Sequence, residues 1–149
     1  MSVEQHLGSC LFLARQNLRT AQLARADGLR TAATSCGYAV ENLILGQCAV
    51  EGVNVPRGVQ HQLDTICRLL PTENVYRARL TKLSWLEAYL TAYRYPKPAG
   101  KLPLSPPLNR LDEALRDVSD LIEDMSVRFD ANVRGEEPEP ARSIARPRS

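Results

Sequence analysis

Apolar residues recur along this chain at spacings of three and four rather than two, a period that predicts helices from end to end. Leu7, Leu11, Ala14, Leu18 and Ala21 form one face of a first helix running from Glu4 to Ala26, with Asp27-Gly28 as its stop signal. A second pattern runs from Arg30 to Glu51. Cys36, Val40, Leu43 and Val50 follow the helical period there, and Ala33, Ala39 and Ile44 widen the stripe. Gly37 and Gly46 weaken this segment as an isolated helix but permit a neighbouring helix to approach closely. Gly52 and Pro56 bracket the turn that ends it.

Leu63, Ile66, Cys67 and Leu70 predict a short third helix between Val59 and Leu70, stopped by Pro71. A fourth, long helix is expected from Thr72, its N-cap, to the residues before Pro96. Tyr76, Leu80, Leu83, Leu90 and Tyr93 share its apolar face, extended by Trp85, Leu86 and Tyr89. Residues 96–107 hold five prolines and one glycine and read as a loop or flap, after which Ser105 caps a final helix with Pro106 in its first turn. That helix carries the cleanest pattern in the chain: Leu108, Leu111, Leu115, Val118, Ile122, Met125 and Phe129 alternate at three and four, a seam suited to a bundle or to another subunit. No alternating strand pattern competes. The expected fold is an all-α, up-and-down bundle of four long helices plus one short helix.

Length and composition narrow the class. One domain is expected of 149 residues. It spans residues 1–131, and residues 132–149, rich in Arg, Glu and Pro, form a flexible tail. Arg142, Arg146 and Arg148 in that tail either touch a polyanion weakly or simply solubilise the end. Nineteen basic and 17 acidic residues leave a net charge of +2, which argues against a DNA binder driven by a strongly basic surface. Sixteen of the basic residues are Arg, which suits phosphates and carboxylates, although an Arg-rich genome gives the same bias. No 18-residue apolar run predicts a membrane span and no secretory signal pattern is present, so the expected location is cytoplasmic, away from membranes. Cys10, Cys36, Cys48 and Cys67 are widely spaced and read as core residues in a reducing compartment.

The inventory for chemistry is thin. No metal-ligand spacing, phosphate loop, dinucleotide fingerprint or serine elbow occurs, so neither a metal nor a cofactor is expected. Of the two histidines, His6 begins the first helix and reads as exposed. His61 has Arg57 four residues before it, and Arg94 can approach from the fourth helix. An Arg/His pair supports metal-independent RNA cleavage: the imidazole moves the proton of a 2′-OH and a guanidinium stabilises charge on the phosphorane. A His that caps or packs against the turn after Pro56 is the competing reading. Glu41-Asn42 inside the second helix is likewise either a solvated face or part of a buried network that orients Arg94 through a bidentate pair. Tyr93-Arg94-Tyr95-Pro96 places two phenols around a guanidinium at a helix end, a group able to bind phosphate, stack on a base or offset the helix dipole.

Taken in order, Tyr38-Ala39-Val40-Glu41-Asn42, then Gly52 and Pro56, His61-Gln62-Leu63 and Arg94-Tyr95-Pro96 resemble the HEPN superfamily of small helical domains. The resemblance covers about residues 5 to 130 and includes the final amphipathic helix. It implies a helical bundle that dimerises. It also implies pairing with a minimal nucleotidyltransferase, as in toxin–antitoxin systems, and either RNA cleavage or nucleotide binding without known turnover. Carried onto this chain, the ligand-binding candidates are Arg94, Tyr95, Glu41 and Tyr93, and the catalytic candidates are His61, Arg94 and Arg57. The ribonuclease branch of the family sets its Arg and His further apart than Arg57 and His61, which have only three residues between them. The expectation is therefore an accessory or non-catalytic module that binds a nucleotide, RNA or a nucleotidyltransferase. Its alternatives are a divergent metal-independent ribonuclease toxin and a structural interaction protein assembled through the Leu108–Phe129 seam.

Overall fold

The computed structural model describes residues 2–90 and 98–133. Among them are three long helices, α1 (Val3–Ala26), α2 (Ala32–Val50) and α5 (Leu108–Val133). Two short ones, α3 (Leu63–Arg68) and α4 (Arg77–Lys82), join 3-10 segments at Arg57–Val59 and Ser84–Tyr89. The architecture is an all-α, up-and-down bundle, and no strand occurs among the described residues.

Local chemistry sets the helix ends. Ser2 Oγ accepts the Gln5 backbone N–H at 3.1 Å while Gln5 Oε1 accepts that of Ser2 at 3.0 Å, a reciprocal box that opens α1. At the other end Gly28 takes φ 70°. The Gly28 and Leu29 amides then return to the carbonyls of Arg25 and Ala24, at 3.1 and 2.8 Å. Gly52, at φ 69°, ends α2 in the same way, with Val53 N–H on Cys48 O at 2.9 Å. A side chain at either φ meets the steric penalty of the left-handed region, which is why glycine stops both helices.

α2 is the central element, in contact with α1, α3, α4, α5 and the Ser84–Tyr89 segment. Its buried positions accordingly run around the helix rather than along one stripe and include Ala33, Cys36, Ala39, Val40, Leu43 and Ile44. The two glycines act as expected. A Cβ on Gly46 meets Cys10 Cβ at 3.2 Å on α1, and one on Gly37 meets Leu90 Cδ2 at 2.6 Å. The α5 seam turns inward: Leu111, Leu115, Val118, Ile122 and Met125 join the core, Phe129 packs beside it, and Leu108 is exposed. All four cysteines are buried and free.

The largest departure from expectation is the fourth helix. In place of one long helix from Thr72, α4 is six residues long and gives way at Leu83 to a six-residue 3-10 segment. Leu80, Leu83 and Leu86 repeat at a strict spacing of three, and all are buried. That repeat suits three residues per turn, where i and i+3 eclipse, better than the 3.6 of an α-helix. The bonds follow suit, with Leu83 N–H on Leu80 O at 3.0 Å and Leu86 N–H on Leu83 O at 3.1 Å. Tyr76, not Thr72, precedes the α4 helix, and the Thr72 hydroxyl is spent on Glu73. The third helix is also shorter than its pattern, because His61 turns the chain at φ 67° before Leu63. α5 begins at Leu108, with the Pro107 carbonyl accepting the Arg110 and Leu111 amides, so Ser105 is not its N-cap and Pro106 precedes it. It continues past Ala131 to Val133. No helix among the described residues is long and apolar enough to cross a membrane.

Candidate functional site

Three polar residues interrupt the apolar surface of α2 on one stripe: Thr34, Tyr38 and Glu41, at i, i+4 and i+7. Each reaches a different backbone. Thr34 Oγ1 donates to the Tyr89 carbonyl at 2.8 Å, and the Tyr38 hydroxyl approaches that of Leu90 at 3.5 Å. Glu41, 8% exposed, accepts the His61 backbone N–H through Oε2 at 2.7 Å and stands 3.0 Å from His61 Nδ1 through Oε1. The stripe therefore joins the His61 turn to the end of the Ser84–Tyr89 segment.

The double contact explains the backbone of His61. Its φ of 67° is unusual for a residue with a Cβ and is the only such case among the described non-glycine residues. The turn places amide and ring on the same carboxylate, and a second acid braces its other side: Glu87 Oε1 accepts the Asp64 N–H at 3.2 Å. Tyr38 meets the imidazole edge-on, with ring centroids 5.9 Å apart and planes at 72°.

An ionised carboxylate only accepts, so the Glu41 contact puts the proton of a neutral ring on Nδ1 and leaves Nε2 as the acceptor. The His61 side chain is 43% exposed, so it combines a buried anchor with an accessible ring. Such an imidazole can receive a hydroxyl proton, or when charged donate to a phosphate oxygen.

The other expected residues divide. Glu41 and His61 meet, so Glu41 lies in a buried network and not on a solvated face. Asn42 does not join it, since its Nδ2 donates to the Tyr38 carbonyl one turn back at 3.1 Å. Arg57 sits exposed in its 3-10 turn, with no hydrogen bond or ion pair from its guanidinium among the described residues. Tyr93, Arg94, Tyr95 and Pro96 lie outside the described residues. His6 is exposed, as its position suggested. Thr34, Tyr38 and Glu87 were not anticipated as part of this corner. The i, i+4, i+7 spacing of the α2 polar residues was the signal available for the first two, whereas Glu87 carries none. Among the described residues no three His, Cys, Asp or Glu side chains gather as a metal site would require.

Comparison with protein-family models, with curated proteins and with solved structures finds no match for this chain.

Proposed function

We propose that this chain is a HEPN-like accessory module that binds a nucleotide or an RNA phosphate at the corner formed by Glu41, His61 and Tyr38. Arg94 and Tyr95 supply the phosphate and base contacts, and Tyr93 completes the aromatic pair. The module dimerises and works beside a minimal nucleotidyltransferase in a toxin–antitoxin pair. The observation that supports this reading is the junction made by Tyr38, whose ring meets His61 while its hydroxyl approaches the Leu90 carbonyl. Arg94 follows Leu90 by four residues in the chain.

Calorimetry of the full chain with adenosine monophosphate, adenosine triphosphate and a short single-stranded RNA tests the reading. Saturable binding that disappears in Arg94→Ala and weakens in His61→Ala supports it. Absence of saturable heat from every probe removes it.

One observation favours a ribonuclease as the second reading: Glu41 anchors Nδ1 and leaves Nε2 of an accessible ring as the acceptor. In that mechanism Nε2 takes the 2′-OH proton as the oxygen attacks phosphorus, Arg94 or Arg57 offsets the phosphorane charge, and the P–O5′ bond breaks to leave a 2′,3′-cyclic phosphate as the protonated ring returns its proton to the departing 5′-oxygen. RNA cleavage by the wild type and its loss in His61→Ala would establish it; equal rates in both would exclude it. The interaction-protein reading loses its main feature, because the α5 seam is occupied by the chain's own core.

A further inference from the structure

α1 carries a second stripe, turned away from the bundle. Gln5, Ser9, Phe12, Gln16, Arg19 and Leu23 recur at alternating steps of four and three, and every one is exposed. Of the chain's two phenylalanines, Phe129 packs beside the core, whereas Phe12 keeps 59% of its surface in water. Leu13 beside it is 46% exposed. Together with Gln5, Gly8 and Ser9 these two line a shallow depression on α1, which leaves room beside the ring for another side chain. Single exposed apolar side chains are ordinary, but two adjacent large ones near the middle of a 24-residue helix make a patch.

The charges around this patch complement one another. Glu4 lies eight residues before Phe12 and Arg19 seven residues after it, so opposite charges stand about 11 Å to either side along the axis. Both are exposed, and neither side chain makes a hydrogen bond or ion pair among the described residues. Arg15 is closer to the patch but is turned to α5, where its Nη2 donates to Ser126 Oγ at 2.7 Å.

This symmetry specifies the occupant. In a two-fold pair of identical chains, residue i of one copy meets residue j of the other, and j meets i. Antiparallel α1 helices with the axis at Phe12 meet that condition, because Glu4 of each copy then lies by Arg19 of the other. Two acids or two bases flanking the patch would instead repel in the same register. The arrangement also sets the positive N-terminal end of each helix dipole beside the C-terminal half of its neighbour.

We propose that the outward face of α1 joins two copies of this chain as an antiparallel two-fold pair, with Phe12 and Leu13 packed across the axis. The proposal rests on the functional reading only for the expectation of a dimer. It shares no residue with the His61 corner.

Sedimentation equilibrium of the full chain over about a hundredfold range of concentration tests the interface. A monomer–dimer equilibrium is expected, weakened about tenfold or more by Phe12→Ser at its exposed position. Glu4→Arg and Arg19→Glu each weaken it about threefold or more, and the double reversal recovers the affinity lost in Glu4→Arg. Glu4→Arg also disfavours the first turn of α1, but that cost is common to the single and double variants, so recovery reports the contact between copies. A monomer at every concentration overturns the proposal and leaves the α1 face to a different protein. A dimer indifferent to Phe12→Ser overturns it too, as does a double reversal no tighter than the single ones. Nucleotide calorimetry reads the His61 corner directly, so a monomer that still binds nucleotide removes this interface alone, and a dimer that binds none removes the ligand reading alone.

Discussion

The Glu41 carboxylate holds His61 twice, by its backbone amide at 2.7 Å and by its ring Nδ1 at 3.0 Å. One side chain thereby fixes both a strained backbone and the orientation of an accessible imidazole. Stability and chemistry at this corner are coupled, and variants separate them.

Glu41→Ala removes the acceptor from an amide and a ring together, and a loss of about 1.5–3 kcal/mol is expected, the range for hydrogen bonds to charged groups. His61→Ala keeps the Cβ in the left-handed region while discarding the ring, whereas His61→Gly discards both. The glycine variant should therefore be the more stable of the two by about 1 kcal/mol. Urea unfolding of the three proteins measures both differences. An alanine variant as stable as the glycine variant would show that φ 67° carries no strain.

The sequence carried much of the frame. Glycine stops after α1 and α2, the apolar seam of α5 and the close approaches at Gly37 and Gly46 follow from local rules about φ, period and side-chain size, whereas the inward direction of that seam does not, since the same pattern suits a bundle or another subunit. The 3-10 segment was less legible, because apolar residues three apart satisfy both helix types until the neighbouring core selects one. Leu80, Leu83 and Leu86 show this, since the spacing of three was visible but read as half of an α-helical stripe. At the site, Glu41 and His61 were identifiable as candidates, yet their pairing was not. The contact spans twenty residues and depends on a positive φ at a histidine, which no local pattern announces.

Gly46 brings α1 and α2 together. An added methyl there would lie 3.0 Å from Leu7 Cδ1 and 3.2 Å from Cys10 Cβ. The leucine tip can rotate, but Cys10 Cβ is fixed to the α1 backbone, so relief requires the helices to part. Gly46→Ala gains about 1 kcal/mol of helix propensity against about 1–3 kcal/mol of overpacking, so a net loss of up to about 2 kcal/mol is expected. Thermal melts of the variant test this, and a raised midpoint would contradict the close contact.

Alkaline pH should unfold the protein through its thiols. Burial pushes Cys36 from 9.0 up to about 12, and burial, reinforced by neighbouring anionic groups, pushes Cys48 up to about 11. Above pH 9.0 the unfolded thiols ionise while the folded ones stay protonated. Their contribution is therefore complete below that pH and is lost as pH rises toward the folded values. The slope is up to about 1.4 kcal/mol per pH unit for each thiol in this window. Urea midpoints at stepped alkaline pH should fall, and Cys36→Ala should flatten the decline. A variant with the wild-type slope would show that Cys36 does not contribute.

The inward direction of the α5 seam makes a prediction about assembly. Leu111 is 3% exposed within the single chain's core, so Leu111→Ala should cost about 2–5 kcal/mol, by lost burial and the cavity left behind. Because that contact is made within one chain, the loss should be the same across about a hundredfold range of protein concentration. A seam that held two copies together would instead give a penalty that grows on dilution, since dissociation and unfolding would then be linked. Denaturation of wild type and variant at both ends of the range distinguishes these outcomes. A concentration-independent difference assigns the seam to the fold and requires any dimer to form through another surface.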